Sequence, residues 1–260
     1  MPSRHRVSPA LPTLTALVLA VGCAPGPAPS PSERLEALLL DPGAYPDGFT
    51  VETAGIDELD GRDGTGVSHP TVDGVEPAEC ARAFDEGAAA LPQGVTEGAA
   101  QVAVSTTPPV RYSYVLVSGG LREDATVPGW WDDLADRCSA MTVVMDGLEL
   151  RGGLTEEDSP YLPDGGGMVA MDLAHNGMDM SARVAWGRVG DVRFVLRSRD
   201  LDAAPSVSTP DLVDTCVEVP TDFDCVEEER DSRAAQARAE AAEEFGAVLF
   251  RAVRTLEEGV

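Results

Sequence analysis

Between Met168 and Arg199 apolar and polar residues alternate with a period of two, and the alternation breaks at Asn176-Gly177 and at Val189-Gly190-Asp191. A two-residue Asn-Gly turn sets His175 opposite Met178, Leu173 opposite Met180, Met171 opposite Ala182 and Val169 opposite Val184. After the first pair every partner is apolar. Reading the second break as a three-residue loop sets Trp186 against Phe194 and Val184 against Leu196, which keeps one face apolar across three strands. The pattern predicts an antiparallel meander with that face in the core.

Shorter runs extend the sheet. Phe49 to Thr53 predicts a strand, Gln101 to Thr106 and Val110 to Ser118 predict two more around Pro108-Pro109, and Met141 to Met145 with Leu148 to Arg151 form a hairpin about Asp146-Gly147. Helical spacing governs Ser32 to Leu40, Pro77 to Gly87, Trp130 to Cys138, Thr209 to Cys216 and Glu227 to Leu256. In the last of these, Ala241, Phe245, Val248, Leu249, Ala252 and Leu256 make a stripe that must dock on something. Its first half, around Gln236, has no stripe and is expected to project into solvent. Gly55 to Gly74 reads as an acidic, glycine-rich loop. Together these elements predict an α+β fold, an antiparallel β-sheet of roughly six to eight strands flanked by short helices, with a long C-terminal helix.

The first residues change the address of that fold. Arg4, His5 and Arg6 precede an apolar run from Leu11 to Val21, which ends in Gly22 and Cys23. An apolar core of about ten residues is a secretory signal and too short to span a membrane. A cysteine directly after the small residue resembles a bacterial lipoprotein signal, which implies cleavage before Cys23 and acylation of that residue. The divisions expected are a signal peptide over residues 1–22, an acylated cysteine and Pro-rich tether over 23–32, a main domain over 33–225 and a C-terminal helix over 226–260. The tether, Ala24 to Pro31, alternates proline with small residues, and such a chain is extended.

Charge and cysteine content narrow the partners. The chain carries 45 acidic against 19 basic side chains, a net charge of -26, so phosphate backbones and anionic lipid headgroups are both repelled. Membrane attachment is therefore expected from acyl chains alone, and nucleic acid is not expected as a partner. Every basic residue is arginine, which removes P-loop and Schiff-base lysines and the Ser-Lys dyad. Cys80, Cys138, Cys216 and Cys225 remain for disulfides outside the cytoplasm, and of the three pairings we expect the sequential one.

Several clusters are candidate sites. Arg183, Arg193 and Arg197 are expected together on the outward face of the meander, able to receive a carboxylate or phosphate of a ligand or to pair with nearby acids. Trp130 and Trp131 at a helix start, with Tyr112 and Tyr114 on one face of a strand, are candidates to line an apolar or sugar-stacking groove. Met168, Met171, His175, Met178 and Met180 are a soft set suited to Cu(I), but the register sends Met171 and Met180 into the core, so we take them as core filler and assign no metal. Asp57, Asp60 and Asp63 lack the alternate spacing of a calcium loop. No G-x-S-x-G, H-E-x-x-H or G-x-G-x-x-G occurs, and Ser68-His69 lacks a third group, so no catalytic residue and no cofactor is expected.

From Cys23 through the Pro-rich tether, the early Leu-Leu-Leu helix, Pro77-x-x-Cys80 and the helix ending in Cys138, the chain resembles actinobacterial envelope lipoproteins. Among these it is similar to relatives of the extracellular sensor domain of PknH-type kinases. The resemblance implies an antiparallel sheet flanked by helices, two disulfides including Cys80 with Cys138, and a cleft for an unidentified ligand. The expected function is a lipid-anchored extracytoplasmic ligand-binding or sensor-like protein, not an enzyme, on the outer face of the cell membrane. The alternative is a structural or protein-interaction module of the envelope that docks through its C-terminal helix.

Overall fold

A computed structural model of the chain describes residues 31–55, 72–84, 94–120, 130–175, 178–200, 204–205, 216 and 223–260. The signal segment, Cys23, the tether up to Ser30, the three aspartates at 57, 60 and 63, Ser68-His69, the Asn176-Gly177 turn and the Thr209-Pro210 helix start lie outside these residues.

Strands β1 (Thr50–Gly55), β2 (Val72–Glu76), β3 (Val95–Thr106), β4 (Pro109–Gly119), β5 (Met141–Met145), β6 (Leu148–Glu156), β7 (Gly167–His175), β8 (Met178–Val189) and β9 (Val192–Asp200) form one sheet. Its order is β1-β3-β4-β9-β8-β7-β6-β5-β2, and a two-residue β10 (Ala204–Pro205) pairs with the start of β8. Every pairing is antiparallel. Five consecutive strands, β5 to β9, make the meander, so most of the sheet is built from local connections. The helices are α1 (Pro31–Glu36), α2 (Trp130–Arg137) and α3 (Phe223–Gly259).

Both faces of the sheet are covered. On one, Tyr112, Tyr114, Leu116, Phe194 and Leu196 pack against Phe245, Val248, Leu249, Ala252 and Leu256 of α3 and Leu35 of α1. The docking stripe read from the sequence is thus used inside the chain. On the other face, Val169, Met171, Leu173, Met180, Val184 and Trp186 pack against Leu134 and Ala135 of α2, and the Cys80–Cys138 disulfide is buried among them. Met171 and Met180 are the core filler expected of them, whereas Met168 packs on the opposite face. The second disulfide, Cys216–Cys225, completes the sequential pairing.

The register of β7 on β8 is the one the Asn-Gly turn predicts, with Leu173 opposite Met180 and Val169 opposite Val184. The register of β8 on β9 differs from the expectation by one residue. Val189 pairs with Val192, so the connection is the two-residue turn Gly190-Asp191, with Gly190 at a φ of 59°. Trp186 therefore faces Val195, and Val184 faces Arg197. The physical reason is that β9 is buried on both sides, so its run from Val192 to Leu196 carries no alternation to fix a face. The slip moves every side chain of β9 to the other surface. A second correction concerns Val72 to Gly74, the end of the expected Gly55-to-Gly74 loop, which are found in edge strand β2 paired with β5. With β2 and the short β10 added, the sheet exceeds the expected six to eight strands.

Candidate functional site

Helix α3 changes character at Phe245. Beyond it, large apolar residues pack on the sheet; before it, the residues bordering the cleft are Ala234, Ala237 and Ala241, spaced three and four apart, together with Arg238, Glu240 and Glu244. Alanine side chains are too short to fill the space beneath a helix, and a cleft of about 500 Å³ is left between this half of α3 and strands β4, β9, β8 and β7.

The floor of that cleft is polar. Asp172 on β7 lies opposite Ser181 on β8, and Asp200 on β9 accepts hydrogen bonds from the Ser181 backbone N–H at 2.6 Å and from its hydroxyl at 3.1 Å. Two residues further along the same face of β8 stands Arg183, between Ala170 and Ser198, with Tyr112 next in the row. Asp179 extends the floor at the other end, and Glu240 and Glu244 reach it from α3. Among the described residues the lining thus holds five carboxylates and no histidine or cysteine.

Burial shifts two groups of this floor. The Asp200 carboxyl is pushed above its usual range mainly by desolvation and also by the charge of Asp172, against the opposing effect of the Ser181 hydrogen bonds and Arg183. The Tyr112 hydroxyl is likewise pushed up, first by burial and then by the charge of Glu244. Its ring stacks on Phe245 at 6.4 Å between centroids, so Tyr112 is the wall at which the cleft meets the core. Arg183 is only 3 % exposed. Its Nη2 donates to the Arg238 carbonyl at 3.4 Å, its Nε lies 3.6 Å from Glu157, and that Nε has no hydrogen-bond acceptor.

The sheet divides the residues singled out from the sequence. Tyr112 and Arg183 line the cleft, and Tyr114, on the same face, is fully buried in the core. Arg193 and Arg197 are on the opposite face, together with Arg111 and Arg199, because the one-residue shift of β9 turns them away from Arg183. Arg193 is buried and not outward, and each of these four is engaged within the chain. Trp130 and Trp131 begin α2, and their side chains lie outside the described residues. Asp200, Ser181 and the alanine face of α3 were not singled out beforehand. A polar set recurring at in-register positions of one face would have marked Asp172, Ser181, Arg183, Ser198 and Asp200, but only with the correct register of β9.

A second concavity, of about 620 Å³, borders edge strand β2 between Glu76, Pro77, Thr142, Val144 and Glu149. It brings only two charged groups together, both acidic. Among the described residues no group of three or more His, Cys, Asp or Glu side chains is placed to hold a metal ion. No described helix is long and apolar enough to cross a membrane.

No family profile and no curated protein matches this chain. Among solved structures it is similar to the extracellular domain of PknH from Mycobacterium tuberculosis, at 15% identity and a TM-score of 0.45, over 69% of this chain and 91% of that one. It is also similar to an uncharacterized protein of Mycobacterium smegmatis, the Rv0999 ortholog, at 19% identity and a TM-score of 0.34, over 62% of this chain and 80% of that one.

Proposed function

We propose that the chain is a lipid-anchored, extracytoplasmic ligand-binding or sensor-like protein of the cell envelope that catalyses no reaction, and that its binding site is the cleft beneath α3. Anchorage rests on the segment from Arg4 to Cys23, whose layout is that of a lipoprotein signal. Binding rests on one observation, the polar floor roofed by alanines, with Asp172, Asp200 and Arg183 converging on the same space. A few convergent polar groups in a preformed cleft are what orients a small ligand. The docking alternative is weakened, since of its best feature, the stripe from Ala241 to Leu256, the residues from Phe245 onward are occupied by the chain's own sheet.

The test is native mass spectrometry of the chain isolated from its host membrane in detergent, before and after denaturant. The expected result is an acylated Cys23 and a small molecule that is released on unfolding and is absent from an Ala241→Phe variant, whose ring fills the cleft. An unmodified Cys23 in the membrane fraction would refute the anchor. A bound molecule retained unchanged by Ala241→Phe would refute the site.

A further inference from the structure

We propose that the cleft takes a small zwitterion, an α-amino acid or short peptide, whose ammonium group sits on Asp172 and Asp200 and whose carboxylate sits on Arg183. This rests on the reading of the cleft as the binding site and adds the chemical class of its occupant.

The argument begins with Arg183. A guanidinium carries five N–H donors, and burial away from water is costly unless they are met. Here the side chain is 4% exposed, and its contacts are one long hydrogen bond at 3.4 Å and an ion-pair approach to Glu157 at 3.6 Å, with Nε left without an acceptor. The group that satisfies a planar fork of donors best is a carboxylate, bound through two parallel hydrogen bonds. The floor supplies carboxylates of its own, yet neither Asp172 nor Asp200 forms an ion pair with Arg183. The Asp172 Oδ1 and the Arg183 Nε are thus left without partners on the floor, although the charge of Arg183 still acts on Asp200.

Asp172 is the complementary half. Its Oδ1 is buried and has no hydrogen-bond donor, although the residue lies on the cleft face diagonally across the β7–β8 pair from Arg183. Asp200 joins it on the other side of Ser181, and one of its oxygens is already taken by Ser181. An ammonium placed above Ser181 donates to both carboxylates. Arg183 stands two residues along the strand, about 6.6 Å of backbone away, a span within reach of the poles of a zwitterion, which are two bonds apart in an α-amino acid and five in a dipeptide. A simple amine leaves Arg183 unmet, a simple carboxylate leaves Asp172 unmet, and a zwitterion meets both. The acidic excess of the lining, with Asp179, Glu240 and Glu244 at hand, further favours ligands with a second positive charge.

The test is titration calorimetry of the mature chain with L-ornithine and glycylglycine as zwitterions, propylamine and putrescine as amines, and propionate and succinate as carboxylates. Ornithine or glycylglycine is expected to bind about tenfold or more tightly than any amine or carboxylate, the yield of one charge-assisted bidentate pair. Arg183→Met should reduce the zwitterion to the affinity of the amine. Because a buried arginine is replaced there, Asp172→Asn, half-buried and isosteric, serves as the second variant and should reduce it to that of the carboxylate, with circular dichroism unchanged. Equal affinity for ornithine and putrescine, or selectivity that survives both substitutions, overturns the proposal. Binding of succinate or of a neutral saccharide that is abolished by Ala241→Phe overturns the zwitterion and keeps the cleft as the site. Absence of binding by every probe, with no ligand recovered from the native chain, overturns both.

Discussion

Gln101 ties the N-terminal segment to the sheet, and its removal should be one of the costliest single changes outside the apolar core. The side chain is 2% exposed on β3. Its Oε1 accepts from the Tyr45 hydroxyl at 2.9 Å, and its Nε2 donates to the Leu40 carbonyl at 2.8 Å. The two partners fix the amide orientation, since a hydroxyl with a carbonyl on the other side admits only one assignment. Gln101→Leu keeps the volume but strands the Tyr45 hydroxyl and the Leu40 carbonyl, both in residues under 5% exposed. Each stranded group costs about 1–3 kcal/mol, offset by about 1 kcal/mol from the added apolar surface, so the net loss should be roughly 1–5 kcal/mol. Against a total of about 5–15 kcal/mol, that is readily measured. Urea unfolding followed by circular dichroism should show a lower midpoint at unchanged slope. Tyr45→Phe in the same background removes one of the two orphans and should recover about 1 kcal/mol. A loss below about 1 kcal/mol in the single variant would mean that water reaches these groups and that the burial argument is wrong.

Three further outcomes follow from the same physics. Leu249→Ala should cost about 3–5 kcal/mol because the side chain is fully buried under α3, whereas Phe250→Ala, one residue on and 44% exposed, should cost under about 1 kcal/mol; equal losses in thermal unfolding would place the docking face of α3 elsewhere. Replacing Cys80 and Cys138 together by alanine opens a bridge between residues 58 apart and should cost about 4 kcal/mol, against nearly 3 kcal/mol for the pair 9 apart, Cys216 and Cys225, as read by denaturant midpoints of the two double variants. For Asp200 the folded pKa is raised by burial, so its neutral form favours folding below the unfolded pKa, and that stability is lost as pH rises through the folded value. Asp200→Asn should therefore match the parent at acid pH and become the more stable of the two as pH rises, and a parallel pair of stability curves would contradict the burial of that carboxyl.

What the sequence makes legible here is what is local. The β7–β8 register follows from Asn176-Gly177 and from pairs such as Leu173 with Met180, because a two-residue turn leaves the strands no other alignment. The disulfides follow from an even set of four cysteines, and the sequential pairing is the one expected of the three possible. Strand β9 fails the same treatment, since Val192, Arg193, Phe194, Val195 and Leu196 are all buried, and alternation reports a face only when one face is wet. That single residue of slip carried Arg193 and Arg197 onto Arg183's face in the sequence reading and hid the polar row that runs from Asp172 to Asp200. Strand β2, written Val-Asp-Gly-Val-Glu, has the composition of a loop and is a strand because β5 offers it an edge. The cleft itself depends on residues as far apart as Asp172 and Glu244, and nothing local to either announces the other.

The division of α3 at Phe245 also decides how a ligand can enter. If the helix had to swing away, its C-terminal half would lift Phe245, Val248, Leu249 and Leu256 out of the core, at about 1.5–3 kcal/mol for each side chain. Those four alone amount to about 6–12 kcal/mol, comparable with the whole stability of a domain, so the helix does not act as a lid. The alanine half makes no such demand, because Ala234, Ala237 and Ala241 bury little surface. A ligand of the proposed cleft would therefore enter from the side, past exposed Ala174, Glu240 and Glu244, into a space whose height is fixed by the packed half of the same helix. A site held open in this way loses little conformational entropy on binding.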